Sequence, residues 1–320
     1  MQLHSIEKIK DKLQDYDNYV ICGHVNPDAD CIGSQIALNL LLKSISKKTT
    51  MLLNGNLEEC FKFLPDSDKF TEKIPEDDYA FIYVDVAEDK RLNIKGASNK
   101  ATVKFVFDHH QVNNADVDYA YIDSDIASTS MLIWQLAKSL NITNKDIATA
   151  CLCGLMGDTG SFRYQNADAD AYSSALEMVK AGASSSEIAL NLYQKRSIES
   201  FKIEEQVLNN LYIDSEHKFA LSCIDADTFE KYNATKADTE GMVDLIRSLG
   251  CVDVACLLRQ TEKKKKVHGS IRSKTDIDVS VLATKHNGGG HKAAAGFTMN
   301  ETNLETAFKT IKNDMVKLMS

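Results

Sequence analysis

The chain has 320 residues, 43% of them hydrophobic and 26% charged, with a formal net charge of −9. That length favours two domains with ample material for a core, and the acidic balance argues against a long duplex nucleic acid as partner. No apolar run approaches the length of a membrane span, and the opening MQLHSIEKIKDKLQ lacks the apolar stretch of a signal peptide, so no membrane partner is expected and a cytoplasmic location is.

Helical periodicity over Ser5–Leu13 leads into a short apolar strand, Tyr19–Cys22. A tight polar loop follows, then an apolar-periodic helix from about Ile32 to about Ser46. The loop holds His24, Asp28 and Asp30 within seven positions, beside Pro27. Hard or borderline divalent metals use such side chains, and the C-terminal end of a parallel strand is where ligands sit. An Asp capping the next helix explains the same stretch, and taken alone the stretch leaves both readings open. After a weaker strand (Thr50–Leu53) and a loop with Pro65 and Pro75 come a fully apolar run, Ala80–Val84, and a similar one interrupted by Lys104, Thr102–Phe107. They end on Asp85 and on Asp108-His109-His110. Continuous apolar strands alternating with helices predict a parallel sheet covered on both faces. Three strands then present charged groups at one edge, which turn chemistry does not account for.

Helices are expected over Ser128–Ser139 and Lys145–Met156, the latter apolar nearly all round and closing on Gly157-Asp158-Thr159-Gly160. Further helices span about Asp168–Gly182, Ser185–Leu192 and Ser197–Tyr212, the last as a connector. Beyond it a second αβ pattern begins: a strand at Phe219–Ile224, a helix near Thr239–Leu249, and a hairpin of Val252–Arg259 and Val267–Arg272. The lysine-rich tip joining the hairpin, Thr261–Lys266, reads as a solvated edge. Charge divides along the chain, with 21 Lys/Arg against 32 Asp/Glu before Glu216 and 16 against 14 from it onward. An acidic part that holds cations and a mildly basic part that meets an anion is a coherent division.

The candidate site therefore gathers His24, Asp28, Asp30, Asp85, Asp108, His109, His110 and Asp158. Two divalent cations about 3.5–4 Å apart need a bridging carboxylate and several hard ligands, and clamp a phosphoryl centre. The eight cysteines show no paired CxxC spacing and several lie in apolar runs, so they read as buried reduced thiols rather than disulfides or a zinc site. Carboxylate-rich, imidazole-assisted, cysteine-free ligation suits manganese first, with magnesium, cobalt or zinc as competitors. In the tail, Gly288-Gly289-Gly290-His291-Lys292-Ala293-Ala294-Ala295-Gly296 lets backbone amides approach an anion closely, and the residues after the glycines are expected to open a helix aimed at it. His291 adds a donor there, and Arg272-Ser273-Lys274 supplies a guanidinium and an ammonium.

His24-Val-Asn-Pro-Asp28-Ala-Asp30, the strand-ending Asp85, Asp108-His109-His110 and Gly157-Asp158-Thr159-Gly160 resemble the four motifs of the DHH phosphoesterase superfamily. The GGGHKAAAG run resembles the substrate-binding signature of the DHH-associated domain, and the two cover nearly the whole chain. The pattern is similar in particular to the stand-alone NrnA type, bifunctional oligoribonuclease and pAp phosphatase. Ala29 stands where many members carry Gly before the second Asp, and both carboxylates remain. The resemblance implies a parallel-sheet α/β DHH domain over 1–196, a helical linker over 197–215, and a smaller α/β DHH-associated domain over 216–320, with an active-site cleft between the domains.

It also implies roles. His24 and Asp28 would hold one metal, Asp30, His109 and Asp158 the other, with Asp85 bridging. His110 would face the reacting phosphate, and Asp108 would fix an imidazole tautomer. Gly160 and Arg163 fall close enough in sequence to line the same cleft; Arg163 would meet a phosphate or form a surface ion pair. Arg272, Ser273, Lys274, Gly288, Gly289, Gly290 and His291 would bind substrate. The implied substrates are single-stranded RNA of two to five nucleotides, cut to mononucleotides, together with pAp or pApA. Other readings stay open: a cyclic-dinucleotide phosphodiesterase, a soluble pyrophosphatase lacking the GGGH run, and a non-catalytic nucleotide sensor. So does the oligomeric state, a homodimer included.

Overall fold

A computed structural model describes residues 2–320 apart from Ala87, 111–113 and 263–265. The lysine-rich hairpin tip thus lies largely outside the described residues. The chain divides into two units, Met1–Lys195 and Arg196–Ser320. No helix among the described residues is long and apolar enough to cross a membrane.

The first unit runs α1 (Ile6–Lys12), β1 (Asn18–Cys22), α2 (Ala29–Ser44), β2 (Lys48–Leu52), β3 (Ala80–Val84), β4 (Val103–Asp108), β5 (Tyr119–Ile122), α3 (Thr129–Ser139), α4 (Lys145–Asp158), α5 (Ala169–Lys180) and α6 (Ser185–Tyr193). Its five strands form a sheet in the order β2-β1-β3-β4-β5, every neighbouring pair parallel. Alternate residues feed two cores. Tyr19, Ile21, Ile82, Phe105 and Phe107 pack with α2, α3 and α4, while Val20, Cys22, Phe81, Tyr83 and Val106 pack with Val86, Leu92 and Ala97. Burial on both faces is why β1, β3 and β4 are mostly apolar instead of alternating.

α2 begins at Ala29, three residues before the apolar periodicity suggests, because the Asp28 carboxylate accepts from the amides of Asp30 and Cys31 and caps the helix. Asp30 therefore sits in the first helical turn rather than in the loop. α2 and α4 approach so closely that a Cβ on Gly33 would stand 2.4 Å from the Ala150 carbonyl oxygen, and one on Gly154 2.6 Å from Asp30 Oδ1. Glycine at these two positions seats the start of α2 against α4.

The second unit runs α7 (Ile198–Asn209), β6 (Tyr212–Asp214), β7 (Phe219–Ile224), α8 (Ala226–Tyr232), α9 (Met242–Arg247), β8 (Val254–Arg259), β9 (Lys266–Ser273), α10 (Ser280–Lys285), β10 (Gly289–His291), β11 (Ala294–Asn300) and α11 (Leu304–Met319). Its six-stranded sheet has the order β10-β11-β9-β8-β7-β6, with β7 and β8 parallel and the other neighbours antiparallel. α7, read from the sequence as a connector, packs Ile203 and Val207 into the core of this unit with Ala220, Phe229, Ala255 and Leu257. On the opposite face Leu258, Ile271 and Phe297 meet Leu282, Ile311 and Met315.

One expectation is corrected here. The glycine run does not open a helix: Gly289–His291 and Ala294–Asn300 form an antiparallel hairpin whose second strand pairs with β9 over seven residues. Gly288 lies where a Cβ would stand 2.1 Å from the Gly296 carbonyl oxygen, and Gly290 takes φ of +142°. The small residues serve a crowded strand pair, with β11 burying Ala295 and Phe297.

Candidate metal centre

The strand order reverses between β1 and β3, the point at which an open parallel sheet leaves a crevice beyond its C-terminal edge. β1 delivers His24 to that edge, β3 delivers Asp85, and β4 ends on Asp108 with His109 and His110 following. Asp30 comes from the first turn of α2 and Asp158 from the last residue of α4.

His24 is buried, and its Nδ1 lies 2.9 Å from the Val25 carbonyl oxygen. With Nδ1–H donating to that carbonyl, the Nε2 lone pair faces Asp85 Oδ2 at 3.3 Å and Asp28 Oδ1 at 3.8 Å. His109 is oriented likewise, with Nδ1 3.3 Å from the Ile126 carbonyl oxygen and Nε2 3.1 Å from Asp158 Oδ2. Asp85 reaches both groups: Oδ2 faces His24, while Oδ1 lies 3.7 Å from His109 Nε2 and accepts from Thr129 Oγ1 at 3.1 Å. Its backbone has φ of +55°, a conformation that costs a non-glycine residue and is found where a side chain must be aimed.

Asp30 accepts from the Thr129 amide at 2.7 Å, the Ser130 amide at 2.9 Å and Ser34 Oγ at 3.3 Å, so the first turn of α3 holds its carboxylate. Asp108 is fully buried, and its Oδ1 lies 2.6 Å from His110 Nδ1.

The charges are strongly interdependent. Burial pushes Asp30 well above the usual carboxylate range, and Asp158 and Asp85 add to it. Asp158 is pushed up to about 6, again chiefly by burial; His109 opposes the shift, and Asp28 and Asp85 add to it. Burial would raise Asp85 too, but the facing imidazoles of His24, His109 and His110 hold it low. Burial disfavours the charged form of His109, yet Asp158, Asp85 and Asp30 raise it well above its ordinary value; Cys31, Asp28 and Asp85 do the same for His24. Carboxylates this close require positive charge among them.

The donor set fits divalent cations. Ligating atoms of Asp30, His109 and Asp158 lie within 4.8 Å of one another, as do those of His24, Cys31 and Asp85. Oxygen and imidazole donors with fixed tautomers are what such ions take. Two details depart from the sequence reading. Asp28 is exposed and spends Oδ1 on the helix cap. Cys31, assigned no role in a ligand set expected to be free of cysteine, brings its sulfur beside His24 and Asp85. Thr129 and Ser130 were also missed; their only sequence signal is a Ser-Thr-Ser run at a helix start.

Arg163 is exposed and donates from Nε to the Gly160 carbonyl at 2.6 Å. In the second unit Ser273 is buried and its hydroxyl donates to the Thr275 carbonyl, so it serves a turn. Lys274 donates to the Leu249 carbonyl. Arg272 on β9 is half-buried, with Nη1 3.4 Å from the Ala295 carbonyl oxygen, and Gly288, Gly289, Gly290 and His291 are exposed.

Comparison with known proteins agrees with this architecture. Residues 18–155 match the DHH family, N-terminal domain, and 217–317 match the DHHA1 domain. The chain belongs to the DHH family. It is 30% identical to a bifunctional oligoribonuclease and PAP phosphatase NrnA of Thermus thermophilus, over 91% of this chain and 87% of that protein. It is 28% identical to a probable bifunctional oligoribonuclease and PAP phosphatase NrnA of Streptococcus mutans, over 94% and 96%. Among solved structures, an exopolyphosphatase-related protein from Bacteroides fragilis superposes with a TM-score of 0.90 at 25% identity, covering 98% of this chain and 96% of that one.

Proposed function

We propose that this chain is a two-metal phosphoesterase that degrades very short oligonucleotides to mononucleotides and removes the 3′-phosphate of pAp. The observation that carries the reading is the pair of ligand sets at the switch point, with the two oxygens of Asp85 turned toward different imidazoles. His24, Asp85 and Asp28 would hold one cation, and Asp30, His109, Asp158 and Asp85 the other. Manganese suits this set first, with magnesium or cobalt as competitors. When bound, the cations neutralise charge on the phosphoryl group and make water a nucleophile near neutral pH.

The remaining steps belong to side chains. Asp108 holds Nδ1 of His110, which leaves Nε2 as the nitrogen turned away from that carboxylate. Burial disfavours protonation of His110, but Asp108 and Asp85 outweigh it and raise its pKa, as suits a group that gives a proton to a leaving oxygen. Arg272, His291 and the glycine amides of the second unit grip the part of the nucleotide that does not react. The kinship to oligoribonuclease and PAP phosphatase relatives over most of the chain supports this substrate class.

The manganese-loaded protein should release phosphate from pAp and AMP from pApA, with little turnover of pyrophosphate. Asp85→Asn should lower turnover by on the order of 10²–10³, since a neutral amide cannot compensate two cations. Preferred hydrolysis of pyrophosphate would sink the substrate assignment. Near-wild-type turnover by Asp85→Asn would sink the two-metal site.

A further inference from the structure

Cys22, Cys151, Cys153 and Cys256 lie in the apolar cores of the two units, where a buried thiol behaves as a small hydrophobic residue. Cys31 is as fully buried as they are, yet it belongs to none of the apolar cores formed by the described residues. Its sulfur has a polar setting instead. Sγ and the ligating atoms of His24 and Asp85 lie within 4.8 Å of one another, and Gln35 Nε2 donates to the same Sγ at 3.6 Å. Donors onto sulfur hold and tune metal-bound thiolates, whereas a thiol that only fills space needs none.

The backbone makes room for this sulfur. A Cβ on Gly23, the residue before His24, would stand 2.1 Å from Cys31 Sγ and 3.1 Å from the Val84 carbonyl oxygen. Gly23 is not among the glycines with positive φ, so it is this close approach and not backbone conformation that calls for glycine there. The sulfur thus takes the space over the end of β1 that a side chain at position 23 would fill.

The other donor near His24 is less available. Asp28 Oδ1 lies 3.8 Å from His24 Nε2 and already accepts from the amides of Asp30 and Cys31. His24 and Asp85 are the firm donors of this site, and the thiol is the third within reach. The neighbouring set of Asp30, His109 and Asp158 offers oxygen and nitrogen alone.

We infer that Cys31 is a thiolate ligand of the His24–Asp85 site and gives that site a preference for zinc or cobalt, while the Asp30–His109–Asp158 site favours manganese or magnesium. Soft thiolate donors select zinc-like ions over harder ones, so the two sites would hold cations of different kinds. Binding sends the thiol proton to solvent and leaves the sulfur electron pair to the cation. The inference rests on the metal centre proposed above and adds one ligand to it.

The test loads the full chain with cobalt, removes excess ion by dialysis, and compares bound metal with the absorption spectrum. Wild type should hold two cobalt ions and show a near-ultraviolet sulfur-to-cobalt charge-transfer band beside the visible ligand-field bands. Cys31→Ser should lose that band. Its preference for zinc over manganese in competition should fall at least tenfold, since removing even an outer-shell partner of a metal costs roughly tenfold to a hundredfold. A band that persists in Cys31→Ser would come from another thiol, such as the exposed Cys251, and would overturn the assignment. If Cys31→Ser fails to fold, X-ray absorption on zinc-loaded Cys251→Ser decides. A sulfur scatterer at about 2.3 Å supports the ligand, and a shell of oxygen and nitrogen alone rejects it. Wild type that binds no divalent cation would sink the metal centre and the functional reading with it, whereas wild type that binds cobalt without the sulfur band would sink Cys31 alone.

Discussion

The proposed function gives adjacent histidines different work because their partners differ. His109 turns Nε2 toward Asp158 and Asp85, whereas His110 turns Nδ1 toward the buried Asp108; the two rings stand 5.1 Å apart and 68° to one another. His109→Ala should therefore lose bound metal, measured by elemental analysis of the dialysed protein. His110→Ala should keep its metal and lose turnover by about 10²–10⁴, the range for a general acid. Equal metal loss in both variants would show the pair to be misassigned. Side chains of this kind were legible in the sequence because charged groups ending apolar strands have little structural reason to be there. Cys31 and Thr129 were not. A thiol at the third position of a helix, or a threonine in a serine-rich helix start, becomes notable only when the fold brings Asp85 beside it.

At the scale of elements, the site depends on how closely α2 and α4 pack. Gly154 on α4 leaves room for both Asp30 Oδ1 and Ser130 Oγ, each 2.6 Å from where its Cβ would be. Gly154→Ala must displace one of them or separate the helices, so it should cost about 1–3 kcal/mol of stability by overpacking and lower metal content as well. Thermal unfolding and metal stoichiometry read the two effects; wild-type values for both would mean that the helix pair is not what seats Asp30. Such packing was invisible in the chain, where Gly33 and Gly154 are single glycines inside helical patterns. The central strands β1, β3 and β4 were readable because two-sided burial makes them runs of mostly large apolar residues, whereas the short edge strand β5 was not singled out. β10 and β11 were not, since glycine and alanine carry little strand signal; only pairing with β9 makes them strands. α11 escaped notice although its Ala307, Ile311 and Met315 recur at helical spacing and are buried together.

On the scale of the whole chain, the proposed function assigns chemistry and grip to different units, a division that parallels the charge. Lys/Arg number 21 against 32 Asp/Glu before Glu216 and 16 against 14 from it onward, so carboxylates concentrate in the part proposed to hold cations. In the second unit the polar strand face bears two guanidiniums, Arg259 and Arg272, and half-buried His268. Substrates that offer a second phosphate or a base to this face should feel its loss most. Arg272→Ala and His291→Ala should retain metal stoichiometry and lose roughly tenfold to a hundredfold in kcat/KM on pAp, the cost of one charge-assisted contact. The loss on bis-p-nitrophenyl phosphate, which has no such handle, should be several-fold smaller. The ratio of the two losses is the informative quantity, because a variant that merely disturbs the fold lowers both rates together. A ratio near one would place Arg272 and His291 in the chemistry or the packing, and the preference for very short nucleotides would then need another source.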